Sequence, residues 1–379
     1  MHMILLLAVV LGADESVVSS PPPILLEIEG KTEALRAVSK SGRCMLCLCV
    51  DDVEGGYTIP YIQPDRDLKG ALRFPGGNVT KAVVTLSGNN EALRESQAAA
   101  PDFSFSFARL RPGEYTLEAR GFDTDEKALC HAKYERIGIG AVIAAIGDSI
   151  TEGYYGRGFK QDDLDLTAGK FPEDTVSKDG RNFPQFAPTT AQHLPEVNCF
   201  ESWMTRLNDL LSASWKQPVF IANEGWGGIA SGGYIEMIRN DAKWRKRVQL
   251  LEPQVWLIHL GVNDERAKVP ARTFAANLEA IVDLLIHDYG ASPGGIFVAK
   301  PCHDYFEGAR EILEDYNTEI DALVARRGLQ PGADFFAGYA TNKERWYGED
   351  PVHPNVAGVG RMAELWHEAL VKQLPEGPK

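Results

Sequence analysis

The chain has 379 residues, enough for two domains with a core each, and its apolar (44%) and charged (24%) fractions are those of a globular protein. A net charge of −14 argues against a nucleic-acid partner and is compatible with neutral substrates. No stretch is apolar for the roughly 20 residues that a membrane-spanning helix needs, so no membrane span is expected.

Met3–Leu11 is continuously apolar and is followed by Gly12-Ala13, which resembles the apolar region and small-residue cleavage zone of a secretory signal. Only His2 stands where a basic leader would be. This expectation makes the protein secreted or periplasmic; a first strand in a cytoplasmic protein is the alternative. Ser19-Ser20-Pro21-Pro22-Pro23 disfavours helix and sheet and reads as a linker, so residues 1–22 form leader and linker.

Residues 23–137 carry β signals. Expected strands are Ile24–Ile28, Arg43–Val50, Val79–Leu86, Phe103–Ala108 and Glu114–Arg120, with a turn of helix near Glu91–Gln97. Phe103-Ser-Phe-Ser-Phe107 alternates at period two, so one face is buried and the other wet. Arg111-Pro-Gly-Glu114 is a turn signal: Pro112 presets φ and Gly113 accepts a positive one. Short strands between turns predict a small all-β sandwich of the immunoglobulin or fibronectin type. Cys44, Cys47 and Cys49 fall in an apolar stretch with no second cluster to complete a zinc set, so a buried strand with free thiols is expected and no metal. Cys130 is left open as a pairing partner for one of the three.

From residue 138 to 379 the pattern changes. Strand-like runs at Val142–Ile146, Val219–Ala222, Val255–Leu260, Ile296–Ala299 and Asp334–Ala337 alternate with helical patterns at Glu201–Trp215, Tyr234–Leu250, Thr273–Tyr289, Ala309–Arg327 and Val356–Lys372. That alternation predicts an α/β domain, a parallel sheet covered on both faces. Arg157–Val197 is long, polar and proline-marked, and directly follows the first strand, so it is expected to wall a cleft.

Four blocks carry chemistry. They are Gly147-Asp148-Ser149, Asn223-Glu-Gly225-Trp-Gly-Gly228, Gly261-Val-Asn263-Asp264 and Asp350-Pro-Val-His353. The first three follow predicted strand ends, where open α/β sheets place their sites. Ester hydrolysis needs a hydroxyl nucleophile, a base to take its proton, a carboxylate to orient the base, and donors for the oxyanion. Ser149, His353 and Asp350 suit the first three roles. The amides of Ser149 and Gly228 and the side chain of Asn263 suit the fourth. Asp148 reads as a loop brace and His259 as a buried strand residue.

These blocks, in this order, resemble those of the SGNH/GDSL hydrolase family over roughly residues 140 to 372. The resemblance implies a three-layer flavodoxin-like domain and a serine esterase with Ser149 as nucleophile, Gly228 and Asn263 at the oxyanion, and Asp350 with His353. An immunoglobulin-like domain feeding into the catalytic strand also resembles some carbohydrate-active members. Tyr154, Trp226 and Trp346 lie near the blocks and are candidates to stack on a sugar. The substrate expected is an acylated, chiefly acetylated, carbohydrate or a small ester, with no cofactor. A short-chain lipase, lysophospholipase or thioesterase is the alternative within enzymes; a non-catalytic carbohydrate-binding protein is the alternative outside them.

Overall fold

The computed structural model describes residues 25–28, 62 and 63, 67–74, 78–88, 91–152, 203–302, 308–347 and 351–378. The expected leader and linker, the Arg43–Val50 strand with its three cysteines, the Arg157–Val197 connection, Tyr154 and Asp350 lie outside them.

The N-terminal part is all β. Strands β1 (Leu25–Ile28), β3 (Leu68–Arg73) and β6 (Ser104–Phe107) form one sheet in the order β1-β3-β6. Strands β2 (Ile62–Gln63), β4 (Lys81–Gly88), β5 (Arg94–Ala99), β7 (Gly113–Phe122) and β8 (Ala128–Ile139) form another in the order β2-β8-β7-β4-β5. All pairs are antiparallel except β2 with β8. Alternation decides which side chains go inward: Phe105 and Phe107 are buried while Ser104 and Ser106 are exposed. They pack with Leu68 and Leu72 of the same sheet against Val84, Leu86, Leu117 and Ala119 of the other, which makes a sandwich around one core.

Two expectations in this part are corrected, and the question left open at Cys130 is answered. Residues 94–99 are an edge strand rather than a turn of helix, paired along β4 despite having no strong β-former. The connection into β7 bends at Arg109, with φ +58 and its amide donating to Asp67 Oδ1 at 2.8 Å, and again at Pro112, while Gly113, which opens the strand, has no positive φ. Cys130 is a free, buried thiol.

After Gly140 the chain enters a parallel sheet. Its strands are β9 (Ala141–Gly147), β10 (Val219–Gly225), β11 (Val255–His259), β12 (Ile296–Lys300) and β13 (Gln330–Asp334), ordered β10-β9-β11-β12-β13. Numbered within this sheet the order is 2-1-3-4-5, the flavodoxin-like winding, and its switch point falls at β9. Period-two alternation sends neighbouring residues of each strand into different layers. Ile143, Ala145, Ile221, Leu257 and Phe297 pack with α2 (Trp203–Trp215), α8 (Phe335–Tyr339) and α10 (Val356–Gln373). Ala144, Ile146, Trp256, Ile258 and Val298 pack with α3 (Ser231–Asn240), α4 (Ala242–Leu251), α6 (Ala271–Tyr289) and α7 (Ala309–Arg327). Helices on both faces make three layers, as the sequence pattern and the family resemblance imply.

Two expectations fail here for local reasons. The single helix expected over Tyr234–Leu250 is two helices, because Asp241 ends α3 and its Oδ1 accepts from the Trp244 amide at 3.1 Å to start α4. The last strand is Gln330–Asp334 rather than Asp334–Ala337: Asp334 accepts from the Ala337 amide at 2.9 Å and caps α8.

Candidate active site

The site is built at the carboxyl ends of three adjacent strands. Gly147, the last residue of β9, lies in register with Gly225 of β10 on one side and His259 of β11 on the other. Strands in a sheet are about 4.8 Å apart, so the loops that leave these three ends emerge side by side. Ser149 is two residues beyond Gly147, Gly228 three beyond Gly225, and Asn263 four beyond His259. The turn out of β9 is tight: a Cβ on Gly147 would come within 2.0 Å of Thr151 Oγ1 and 2.8 Å of the His259 carbonyl oxygen. Glycine there lets the chain fold at once into the short helix α1 (Ser149–Glu152) that presents Ser149.

Ser149 and His353 meet. Ser149 Oγ is 2.9 Å from His353 Nε2, and both residues are half-buried. His353 stands on a loop closed at its base by the bridge between Tyr347 and Pro354 and by the Asn355 amide donating to the Trp346 carbonyl at 2.8 Å. Asn355 then caps α10 by accepting from the Gly358 amide at 3.0 Å. The histidine is thereby fixed between a closed loop and a capped helix.

The second and third blocks are tied to the first. The Trp226 amide donates to the Gly147 carbonyl at 3.0 Å. Residues 226–229 close a turn with the Ile229 amide donating to the Trp226 carbonyl at 3.2 Å. Gly228, third in that turn, has φ +75, the left-handed value that a type II turn demands of this position. The turn's own hydrogen bond uses the amide of Ile229 and not that of Gly228. Asn263, half-buried in α5 (Val262–Arg266), donates through Nδ2 to the Ile229 carbonyl at 3.0 Å, and an amide nitrogen carries a second hydrogen for another acceptor.

Buried polar groups underlie these loops. Asp148 is 1% exposed; its Oδ1 accepts from the Ile150 amide at 3.0 Å, and its Oδ2 has no hydrogen-bond partner among the described residues. Burial pushes its carboxyl up to about 7, against the pull of the Ile150 amide and the nearby His353 ring. His259 is also buried, with Cys302 Sγ 3.8 Å from Nε2 and the Phe335 ring edge-on at 4.8 Å; burial lowers it to about 3, so it stays neutral. The Asp264 carboxyl is raised by burial and held back by hydrogen bonds from Ser231.

Of the aromatic candidates, Trp226 is 43% exposed. Trp346 is half-buried, stacked by the Arg345 guanidinium 4.4 Å from its ring centroid and set against Tyr339. Ser231 is a site-bracing residue that no motif in the sequence marks; its signal is the absence of a capping side chain at Ala230, the residue before α3. Among the described residues no group of three or more His, Cys, Asp or Glu is placed to hold a metal, and no helix is long and apolar enough to cross a membrane.

A flavodoxin-like parallel sheet thus carries a serine and a histidine in contact beyond the carboxyl end of β9. The sequence profile of the GDSL-like lipase/acylhydrolase family matches residues 145–361, and the chain belongs to that family. It is a carboxylic ester hydrolase. Among solved structures it is similar to a lipase/acylhydrolase from Enterococcus faecalis, 17% identical, covering 63% of this chain and 98% of that one with a TM-score of 0.40. It is also similar to a carbohydrate esterase family 3 protein from Talaromyces cellulolyticus, 16% identical, covering 61% and 97% with a TM-score of 0.41. A GDSL-like lipase from Bacteroides thetaiotaomicron is 16% identical over 62% of this chain and 89% of that one, TM-score 0.37. Comparison with curated protein sequences gives no match.

Proposed function

We propose that this chain is a serine esterase that removes O-acyl groups, chiefly O-acetyl, from a carbohydrate. The observation that carries the serine mechanism is the 2.9 Å contact between Ser149 Oγ and His353 Nε2. A serine hydroxyl is a weak nucleophile until a base accepts its proton, and a neutral imidazole within hydrogen-bond reach is such a base.

On this reading His353 Nε2 takes the Ser149 proton as Oγ attacks the acyl carbonyl carbon. The electron pair of the carbonyl moves to oxygen, and the oxyanion is met by the amides of Ser149 and Gly228 and by the free hydrogen of Asn263 Nδ2. The intermediate collapses as His353 returns the proton to the departing sugar hydroxyl. Water then repeats the cycle on the acyl-serine and frees the acid. Asp350 orients the imidazole and offsets its charge. The fixed turn at Gly228 and the capped loop of His353 support this reading, because preorganised donors need no rearrangement in the transition state.

A carbohydrate is favoured over a long acyl chain by the indole of Trp226, 43% exposed and two residues before Gly228, since aromatic faces stack on the apolar faces of sugars. Tyr154 and Trp346 are the further candidates to contact substrate. The apolar stretch Met3–Leu11 supports secretion or a periplasmic location.

The test is acetate release from a panel of acetylated polysaccharides by the wild type and by Ser149→Ala. Release by the wild type alone is expected. Activity only on simple or longer-chain esters moves the substrate to the lipase or thioesterase alternative. Equal release by Ser149→Ala overturns the serine mechanism.

A further inference from the structure

We infer that Asp264 is a positioning residue which, through Ser231, holds the turn carrying the Gly228 amide against Asn263; this rests on the esterase reading above. Helix α3 begins without a capping side chain, since Ala230 precedes it. Its first amide, that of Ser231, donates instead to Asp264 Oδ2 at 2.9 Å, across 33 positions of sequence. Ser231 Oγ donates to Asp264 Oδ1 at 2.5 Å and accepts from Asn277 Nδ2 at 2.9 Å. Ser231 and Asp264 are both fully buried.

The carboxylate therefore caps α3 from another element, where an anion complements the helix dipole. The neighbouring Asn263 grips the Ile229 carbonyl. Two consecutive residues of α5 thus hold Ile229 and Ser231, and the amide of Gly228 leads directly into that grip. Asp264 touches no reacting atom. Its effect is to fix where two oxyanion donors stand relative to Ser149, and misplaced donors stabilise the transition state less while leaving ground-state binding alone.

The experiment measures kcat and KM on an aryl acetate, the rate of Ser149 labelling by a fluorophosphonate, and the thermal midpoint. The proteins are wild type, Ser149→Ala, Asp264→Ala, Asp264→Asn and Ser231→Ala. Asp264→Ala should lower kcat about a hundredfold, the loss typical of one oxyanion donor, with KM within about twofold and labelling slowed in step. Asp264→Asn keeps an acceptor for the Ser231 amide and should recover part of that loss. A kcat within about threefold of wild type in a folded Asp264→Ala, or a loss confined to KM, overturns the inference. If Asp264→Ala does not fold, Ser231→Ala decides: a fall in kcat alone supports the inference, and an unchanged kcat overturns it. Failure of the esterase reading looks different, as a wild type that neither cleaves the ester nor labels at Ser149.

Discussion

Ser149 Oγ and His353 Nε2 lie 2.9 Å apart although 204 positions separate the two residues. The short helix α1 after β9 supplies one and the loop before the last helix supplies the other, so the contact exists only in the folded α/β domain. Replacing either by Ala should lower kcat on an aryl acetate by at least about 10³-fold, and the double variant should lose little more than either alone, because the pair acts as a unit. Losses that multiply in the double variant would show that the two residues act separately. Asp350→Ala should lose less than either, since a base without its orienting carboxylate still accepts protons.

Gly228 is held at φ +75, and a Cβ built there meets nothing within 4 Å. Space is therefore no obstacle to Gly228→Ala; the backbone is. An L-residue in the left-handed region costs about 1–2 kcal/mol, and the turn can relieve that strain by rotating the amide away from the oxyanion. The expected outcome is a kcat lowered about tenfold or more with little change in KM. An Ala variant with wild-type kcat would exclude the Gly228 amide from the reaction.

Two buried groups give opposite pH dependences of stability. Asp148 is raised from 3.8 to about 7 in the fold, so between those values the native state holds the extra proton and stability falls as pH rises. His259 is lowered from 6.5 to about 3, so in that window the unfolded state holds the extra proton and stability falls as pH drops. Where the windows overlap, from about pH 4 to 6.5, the two slopes oppose, each up to ~1.4 kcal/mol per pH unit. Asp148→Asn leaves the histidine slope, and its thermal midpoint should climb with pH relative to wild type. His259→Leu leaves the carboxyl slope, and its midpoint should fall with pH relative to wild type. Midpoints that track wild type in parallel for both variants would count against buried titration at either site.

What the sequence made legible follows from where each signal lives. The blocks around Ser149, Gly228 and Asn263 sit just past fully buried strands, whose apolar runs announce their own ends. The apolar Phe335-Phe336-Ala337 has the pattern of a strand but folds as α8, while the edge strand before it contains Pro331 and Gly332, which an edge tolerates although both disfavour sheet. Asp241 is a capping residue type whose signal is masked by the long helical period around it. The Ser231–Asp264 pair has only an indirect signature, the uncapped Ala230 before α3, because a cap supplied from 33 residues away is a property of packing. The same holds for β5, whose Arg94–Ala99 becomes a strand only because β4 offers it a ladder.

Trp226 bears on the choice of substrate. Its amide is anchored to the Gly147 carbonyl at 3.0 Å, while its side chain is 43% exposed. The backbone is thus fixed by β9, and the partly exposed indole stands beside the proposed oxyanion turn. Trp226→Ala removes the ring and leaves the anchoring amide, so the chemistry on a small aryl acetate should stay within about twofold of wild type. If the ring stacks on sugar, kcat/KM on an acetylated oligosaccharide should fall about five- to tenfold, the loss of roughly 1 kcal/mol or slightly more that an aromatic contact supplies. Equal effects on both substrates would place the indole in the turn's architecture instead. No effect on either would remove the main support for a carbohydrate and favour the lipid-ester alternative.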